Sequence, residues 1–416
     1  VIKYRQSCRG CGNPHLTPIL DLGDQFFQGS FVKDGIINPA TRKTPNLIVM
    51  CDVTKFENGC GLIQTKHSVD PDILYSNYWY QSGISNTMKN HLASVVSEVL
   101  QISKFKSGVV VDIASNDNTL LRNYPPTFIK YGIDPSDIAG QQKDKDITVI
   151  NDFFPSPALK KALTKKASII TSLACFYDVD DPLAFAKEIK EILTDDGIWV
   201  FEVAYWKSML DNLAYDSIVN EHVIHYHLSP LAKIMNAAGL KIFDLQLTTT
   251  NGGSIMCFCT HVGNNAFNNN ENRRRVLLQK IVEFDACLDQ EETYVKFRER
   301  VMAHKQQLFD LISDLVLIQK KKVHIYGAST KLNTILNFCN LGPDLIPYAA
   351  ERSPEKYGAK TISGIQIISE EESKRMKPDY YLVGPYHFKQ EILTREKDII
   401  SRGTKFIFPL PNIEIV

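Results

Sequence analysis

Val109-Val110-Val111-Asp112-Ile113-Ala114-Ser115-Asn116-Asp117-Asn118-Thr119-Leu120-Leu121-Arg122 decides the fold. A short apolar run that breaks into small and polar residues reads as a buried strand ending in a tight turn before a helix. Ile169-Ile170-Thr171-Ser172-Leu173 and Ile198-Trp199-Val200-Phe201-Glu202 are two more such runs, with a helical stretch from Pro182 to Leu193 between them. Strands alternating with helices predict a parallel, doubly wound α/β sheet over residues 76–265. In that architecture ligands bind at the carboxyl edge of the sheet, where the quoted turn lies.

The neighbouring strand ends in Tyr131-Gly132-Ile133-Asp134. An acid at that place accepts the ribose hydroxyls of an adenosine. Asn151-Asp152-Phe153-Phe154 is suited to the adenine, and Ser172 closes the fourth strand. The candidate cofactor contacts are therefore Asp112, Ala114, Ser115, Asn116, Asp117, Asp134, Asp152, Phe153 and Ser172. No G-x-G-x-x-G and no diphosphate-clamping Lys occurs here, which argues against NAD and ATP in this domain. The competing reading is that these aspartates only cap helices.

Working outward, residues 1–75 are punctuated by Cys, Gly and Pro, with short apolar runs such as Leu47-Ile48-Val49-Met50. They predict a small, loop-rich domain of a few strands whose core is too small without a staple. Cys8 and Cys11 form a C-x2-C pair; Cys51 and Cys60 follow. Four thiolates suit tetrahedral Zn2+ and leave no open position, so the metal would be structural. The alternative is four buried free thiols. Cys175, Cys257, Cys259, Cys287 and Cys339 are expected as core thiols.

Beyond the middle domain, 264–272 is polar and reads as a surface linker, and Arg273 to Gln319 as a long helical region. A second strand-turn-helix pattern opens at Val323-His324-Ile325-Tyr326-Gly327, with further strands at 380–383 and 406–408, giving a third domain over 266–416. Across all 416 residues Lys+Arg and Asp+Glu balance at 47 each. Such neutrality gives no global attraction to nucleic acid or anionic membrane. No run is long enough to span a bilayer and no signal-peptide core opens the chain, so a cytoplasmic protein with reduced thiols is expected, monomeric or homodimeric.

Several segments stand together in one order: Cys8-x2-Cys11, Cys60-Gly61-Leu62-Ile63-Gln64, Tyr78-Trp79-Tyr80-Gln81-Ser82-Gly83, the 112–121 loop, Asn220-Glu221-His222-Val223, Asn251-Gly252-Gly253-Ser254, and Tyr326-Gly327-Ala328-Ser329-Thr330-Lys331-Leu332-Asn333. In these the chain resembles the sugar C-methyltransferases of deoxysugar biosynthesis. The resemblance implies a structural zinc, a class I methyltransferase Rossmann-like middle domain holding S-adenosylmethionine, and a second Rossmann-like half. A nucleotide-linked sugar would lie between the last two. It also implies that His222 is the base, with Glu221 orienting it or the substrate, and Tyr78 and Tyr80 against the sugar. Asn220, Asn251, Ser254, Tyr326, Ser329, Lys331, Asn333, Glu351 and Arg352 would be substrate contacts. Two departures stand out: Asn118 where the family has Gly, and Val219-Asn220 where it often has Tyr-His.

The residues support that chemistry. Carbon methylation needs a carbanion equivalent, and a hydrogen next to a ketone is acidic enough for a neutral imidazole to remove. The pH profile should then show a limb near an ordinary imidazole pKa. A catalytic metal on His222, His225 and His227 is the competing reading, although alternate residues of a strand face opposite ways. Lys331 at a helix N-terminus suits a diphosphate. Methylation of a sugar hydroxyl or amine, or a non-catalytic nucleotide-sugar-binding protein, are the alternative functions.

Overall fold

The computed structural model describes residues 2–27, 31–32, 43–75 and 81–416. The N-terminal region carries β1 (Ile2–Tyr4), β2 (Leu16–Phe26), β3 (Lys43–Cys51), β4 (Ile63–Thr65) and β5 (His67–Val69). β1 pairs with β5, while β2, β3 and β4 form an antiparallel sheet. That sheet takes its fourth strand, Ile224–His225, from the middle of the chain. Its apolar face is not a miniature core either. Ile19, Leu20, Leu22, Ile48 and Met50 share one cluster with Trp206, Tyr215, Tyr294, Phe297, Leu308 and Ile335. The expected shortage of core is thus met by borrowing from the other two regions, as burial of a sheet face requires.

The middle region runs through α1 (Pro71–Tyr75), α2 (Asn86–Ser103), β6 (Gly108–Ile113), β7 (Phe128–Ile133), α3 (Asp137–Gly140), β8 (Ile147–Ile150), α4 (Pro157–Ala162) and β9 (Ala167–Leu173). It continues with α5 (Pro182–Ile192), β10 (Leu193–Ala204), α6 (Trp206–Asp211), β11 (Ile224–His225), α7 (Leu228–Ala238), β12 (Leu240–Thr248) and β13 (Ser254–His261). Seven strands are ordered β12-β13-β10-β9-β6-β7-β8. β6 to β10 are parallel, but β12 and β13 add an antiparallel hairpin that the sequence pattern did not predict. Val109 and Val111 face the layer of α5 and α7, and Val110 faces α2, the period-two alternation of a strand buried on both faces.

After the polar 264–269 turn come α8 (Asn270–Asp285) and α9 (Glu291–Ser313), which continues in a π-helical turn at Asp314–Ile318. The predicted helical region is therefore broken at residues 286–290. Then follow β14 (Val323–Tyr326), α10 (Thr330–Phe338), β15 (Tyr348–Glu351), β16 (Gln366–Ser369), α11 (Glu370–Arg375), β17 (Tyr380–Val383), α12 (Lys389–Arg395), α13 (Lys397–Ser401), β18 (Lys405–Phe408) and β19 (Glu414–Ile415). Their sheet is ordered β16-β15-β14-β17-β18-β19, so the winding reverses between β14 and β17. The crevice beyond the carboxyl ends of those two strands is the expected ligand position. Among the described residues no helix is long and apolar enough to cross a membrane.

Candidate active site

The loop after β6 is left-handed at three non-glycine residues: Ala114 at φ 61°, Asn116 at 50° and Asn118 at 62°. Asn tolerates this conformation; Ala does not do so without cost, roughly 1–2 kcal/mol. The sequence marked Asn118 as a glycine replacement but gave no signal that Ala114 shares the conformation. β7 passes so close that a Cβ on Gly132 would stand 2.6 Å from Ser115 Oγ and 2.8 Å from Asn118 Oδ1. Both of those atoms are buried and lack a hydrogen-bond partner among the described residues. Asp134 closes β7 and accepts the backbone N–H groups of Asn116 (3.0 Å) and Ser136 (2.8 Å). Asp112 is buried and accepts the Thr171 hydroxyl at 2.6 Å. Burial pushes its carboxyl up to about 7, with the Asp134 charge adding to the rise against the Thr171 hydrogen bond.

Neither Asp112 nor Asp134 has a basic partner among the described residues. A loop of carboxylates and free polar atoms without a cation fits a cofactor that brings its own positive charge and ribose hydroxyls. Ser82 and Gly83 donate backbone N–H groups to Asn116 Oδ1 and Asp117 Oδ2, at 3.0 and 2.7 Å, so the segment after Gln81 closes over the loop. Tyr78 and Tyr80, immediately before it, lie outside the described residues. Asp152 caps α4 through Ser156, with Phe153 beside it half-exposed. Ser172 is fully buried and accepts the Trp199 indole N–H at 2.9 Å.

His222 follows the short turn at Tyr215–Ser217. Its Nδ1 lies 3.0 Å from the Ser217 carbonyl. A carbonyl only accepts, so Nδ1 carries the proton and Nε2 keeps its lone pair. Its ring packs 4.1 Å from that of Tyr177. Burial, with the Lys331 charge adding to it, pulls His222 down to about 4. This lies below the ordinary imidazole range on which the sequence-based expectation of a pH limb rests. His225 and His227 are buried at 2% exposure. Glu221 is half-buried beside His222. Asn220 is engaged elsewhere: it accepts the Thr44 hydroxyl (2.8 Å) and donates to the Phe26 carbonyl (3.2 Å), tying this turn to the N-terminal sheet.

The β14/β17 crevice supplies the opposite wall. Lys331 Nζ, from α10, donates to the Asn251 carbonyl at 2.6 Å. Gly252 is left-handed, and a Cβ there would meet both His387 Nδ1 and Lys331 Nζ at 3.8 Å. Asp216 is fully buried and accepts the Tyr386 hydroxyl at 3.1 Å, while its Oδ2 has no hydrogen-bond partner among the described residues. Burial pushes its carboxyl up; the Lys331 charge opposes this. Asp216, Tyr386 and His387 escaped the sequence reading, though the Gly384-Pro385 break after a strand was a usable signal. Ser329 caps α10, Ser254 donates to the Thr250 carbonyl, and Asn333 is buried in α10. Glu351 receives the Ala328 N–H and, with Arg352, lines a separate cavity of about 590 Å³. Tyr326 does not reach the crevice: its hydroxyl donates to Glu396 within the domain core.

The Sγ atoms of Cys8, Cys11, Cys51 and Cys60 all lie within 4.8 Å of one another. N–H groups of Gly10 and Gln64 point at Cys8 Sγ, and those of Asn13 and Cys60 at Cys51 Sγ, at 3.2–3.3 Å. Hydrogen bonding with Cys11 first, and burial after it, push the Cys8 and Cys60 thiols up. A divalent cation is what lets four thiolates share this volume, and the set fits structural Zn2+. Inside the C-x2-C turn, Arg9 is buried. Its side chain donates to Thr65 O (2.6 Å), His67 O (2.9 Å), Ser68 Oγ (2.8 Å) and Asp180 Oδ1 (2.9 Å). The sequence gave no sign of it. Cys257, Cys259 and Cys339 are core thiols as expected, whereas Cys175 and Cys287 are only half-buried.

Strand order, loop and carboxylates are those of a Rossmann-like methyltransferase. Family models match along the chain: "Putative zinc binding domain" over 8–75, "Methyltransferase domain" over 86–245 and "C-methyltransferase C-terminal domain" over 249–411. C-methyltransferase NovU of Streptomyces niveus is 26% identical over 425 aligned residues, covering 100% of this chain and 98% of that protein. Among solved structures, an S-adenosylmethionine-dependent methyltransferase from Clostridium acetobutylicum is 13% identical, covers 44% of this chain and 94% of its own, and has a TM-score of 0.34. The magnesium protoporphyrin IX methyltransferase of Synechocystis, with S-adenosylmethionine bound, is 13% identical over 42% of this chain and 79% of its own, TM-score 0.32. Those two scores are too low to bear on the assignment, which rests on the family models, the full-length relative and the cysteine cluster. The chain belongs to the S-adenosylmethionine-dependent C-methyltransferases, with a structural zinc site in its N-terminal region.

Proposed function

We propose that the chain methylates the carbon next to the ketone of a nucleotide-linked keto-deoxysugar, with His222 as the base. The observation that carries this is the Nδ1–Ser217 hydrogen bond, which leaves Nε2 of a half-buried ring as an acceptor. Asp134 and the 112–121 loop would hold S-adenosylmethionine, which would supply an electrophilic methyl group whose bonding pair stays on the departing thioether sulfur. His222 Nε2 takes the proton from carbon, and the electron pair left behind becomes the enolate that accepts the methyl. The fixed charge of Lys331 stabilises negative charge across the crevice. With Ser329 at the start of α10, it gives the diphosphate a cation and a helix N-terminus. Glu351 and Arg352 border a cavity of a size that takes a nucleoside. The three regions then act as zinc, methyl-donor and nucleotide-sugar domains over 1–75, 76–265 and 266–416.

The test is proton exchange without methyl donor. Incubated in D2O with a dTDP-linked 4-keto-deoxysugar, the enzyme should place deuterium at the carbon next to the ketone. Methyl transfer without any such exchange, and with the product's methyl on oxygen or nitrogen, would overturn the reading.

A further inference from the structure

Helix α8 is amphipathic the wrong way round. The residues it buries are polar: Asn272, Gln279 and Glu283. Glu283 explains part of this, because its carboxylate accepts the Leu228 and Ser229 backbone N–H groups and the Tyr205 hydroxyl. Its outward face is apolar instead: Leu277 is 59% exposed, Leu278 50%, Ile281 47%, Val282 45% and Phe284 82%. At about 100° per residue Leu277, Leu278, Ile281 and Phe284 fall on one stripe opposite the buried side. Five such side chains leave on the order of 500 Å² of apolar surface in water, at the upper end of what a monomer's largest patch shows.

The charges on the same stripe name the occupant. Arg274 stands at its N-terminal end and Asp285 at its C-terminal end. Both are exposed, and neither has an ion pair among the described residues. In an antiparallel pair of α8 helices related by a two-fold axis, Leu278 meets Ile281 of the second copy and Arg274 meets Asp285 at both ends. A parallel pair would oppose Arg274 to itself. Two copies burying this patch and its rim remove roughly 1,000–1,500 Å² from water, the range of a specific interface. We infer that the protein is a homodimer in solution, joined through antiparallel α8 helices.

Sedimentation velocity of the zinc-loaded full chain tests this. A dimer is expected at micromolar concentration. Ile281→Glu, present twice in the pair, should raise the dissociation constant on the order of 100-fold or more. Its thermal midpoint extrapolated to high dilution should be unchanged. Because that variant places a charge on an apolar face, the end charges give a second arm. Arg274→Asp should raise the dissociation constant about 10-fold by opposing like charges. The double variant Arg274→Asp/Asp285→Arg should restore it to within about 3-fold. A monomer at all concentrations would overturn the inference and leave the stripe to a different protein. A dimer indifferent to Ile281→Glu, or a double variant no better than Arg274→Asp, would show that copies meet elsewhere or in another register.

Discussion

His222→Asn is the most informative single change. The Asn side-chain amide can still donate to the Ser217 carbonyl that His222 Nδ1–H occupies at 3.0 Å, so the turn should keep its shape. What disappears is the acceptor at the Nε2 position. A positioned general base contributes about 10²–10⁴ in rate, so turnover should fall by that factor, roughly 3–5 kcal/mol of barrier. The affinity for S-adenosylmethionine should not move. The wild-type pH profile carries the second half of the argument. With His222 held at about 4, first by burial and then by the Lys331 charge, about one ring in 1,000 is protonated at pH 7. The neutral form is the active one, so turnover should stay flat from pH 8 to 5 and fall only below that. Stopped assays of methyl transfer across this range, with deuterium exchange followed in parallel, measure both. Near-normal turnover in His222→Asn would remove the base from this residue. A limb near 6.5 that vanishes in the variant would keep the base but refute the burial argument.

Two further outcomes follow from the geometry. Asp134→Ala should weaken S-adenosylmethionine binding at least about 10-fold by calorimetry, since it removes a ribose acceptor and leaves the Asn116 and Ser136 N–H groups without theirs; an unchanged constant would place the ribose elsewhere. Acid should destabilise the fold before it stops the chemistry: burial pulls His225 down to about 3 and His324 to about 4, so below pH 6.5 the unfolded chain binds more protons than the folded one. Each ring then subtracts up to about 1.4 kcal/mol of stability per pH unit until its folded pKa is reached, and urea unfolding that is no easier at pH 5 than at pH 7 would contradict this.

The sheet of the middle region was legible because buried strands such as Val109–Ile113 carry an unmistakable apolar run, and the cysteine cluster because thiolate spacing is a chemical constraint. The antiparallel hairpin β12–β13 was not. Its strands are as apolar as the parallel ones, and direction is set by which neighbour they pair with, a tertiary fact. Arg9 was hidden for a similar reason: a lone arginine in a turn reads as solvated until its five-donor fork is seen meeting carbonyls from β4 and β5. The buried partners of Ser172 and Tyr326, Trp199 and Glu396, were equally out of reach of the sequence, since both residues stand at strand ends near loops. A side chain's face depends on parity, and both point into cores. Asp216 and Tyr386 lie far apart in sequence and meet only because the 215–217 turn packs against the loop that follows β17.

Two lines of hydrogen bonds lead from the zinc-site cysteines toward the turn that carries His222. Gln64 donates to Cys8 Sγ at 3.2 Å and accepts the Arg9 backbone N–H at 3.0 Å. Its strand pairs with β11, Gln64 opposite Ile224, and Thr65 N–H donates to the Val223 carbonyl at 2.9 Å. Val223 is the residue next to His222. A second line runs from Arg9 to Asp180, on the connection that also carries Tyr177 against the His222 ring. The methyl-donor loop, held by β6 and β7, hangs on neither line. Loss of the metal should therefore separate the two ligands' fates. Elemental analysis should find about one zinc per chain. In Cys60→Ser, or in protein stripped by a chelator at a temperature where circular dichroism still shows the fold, S-adenosylmethionine should bind within about 3-fold of normal. Turnover should fall about 10-fold or more, because a base displaced by even an ångström loses most of its effect. Turnover and donor binding declining together, in step with the unfolded fraction, would mean that zinc serves the fold alone. Full activity in folded, metal-free protein would mean that neither line positions His222.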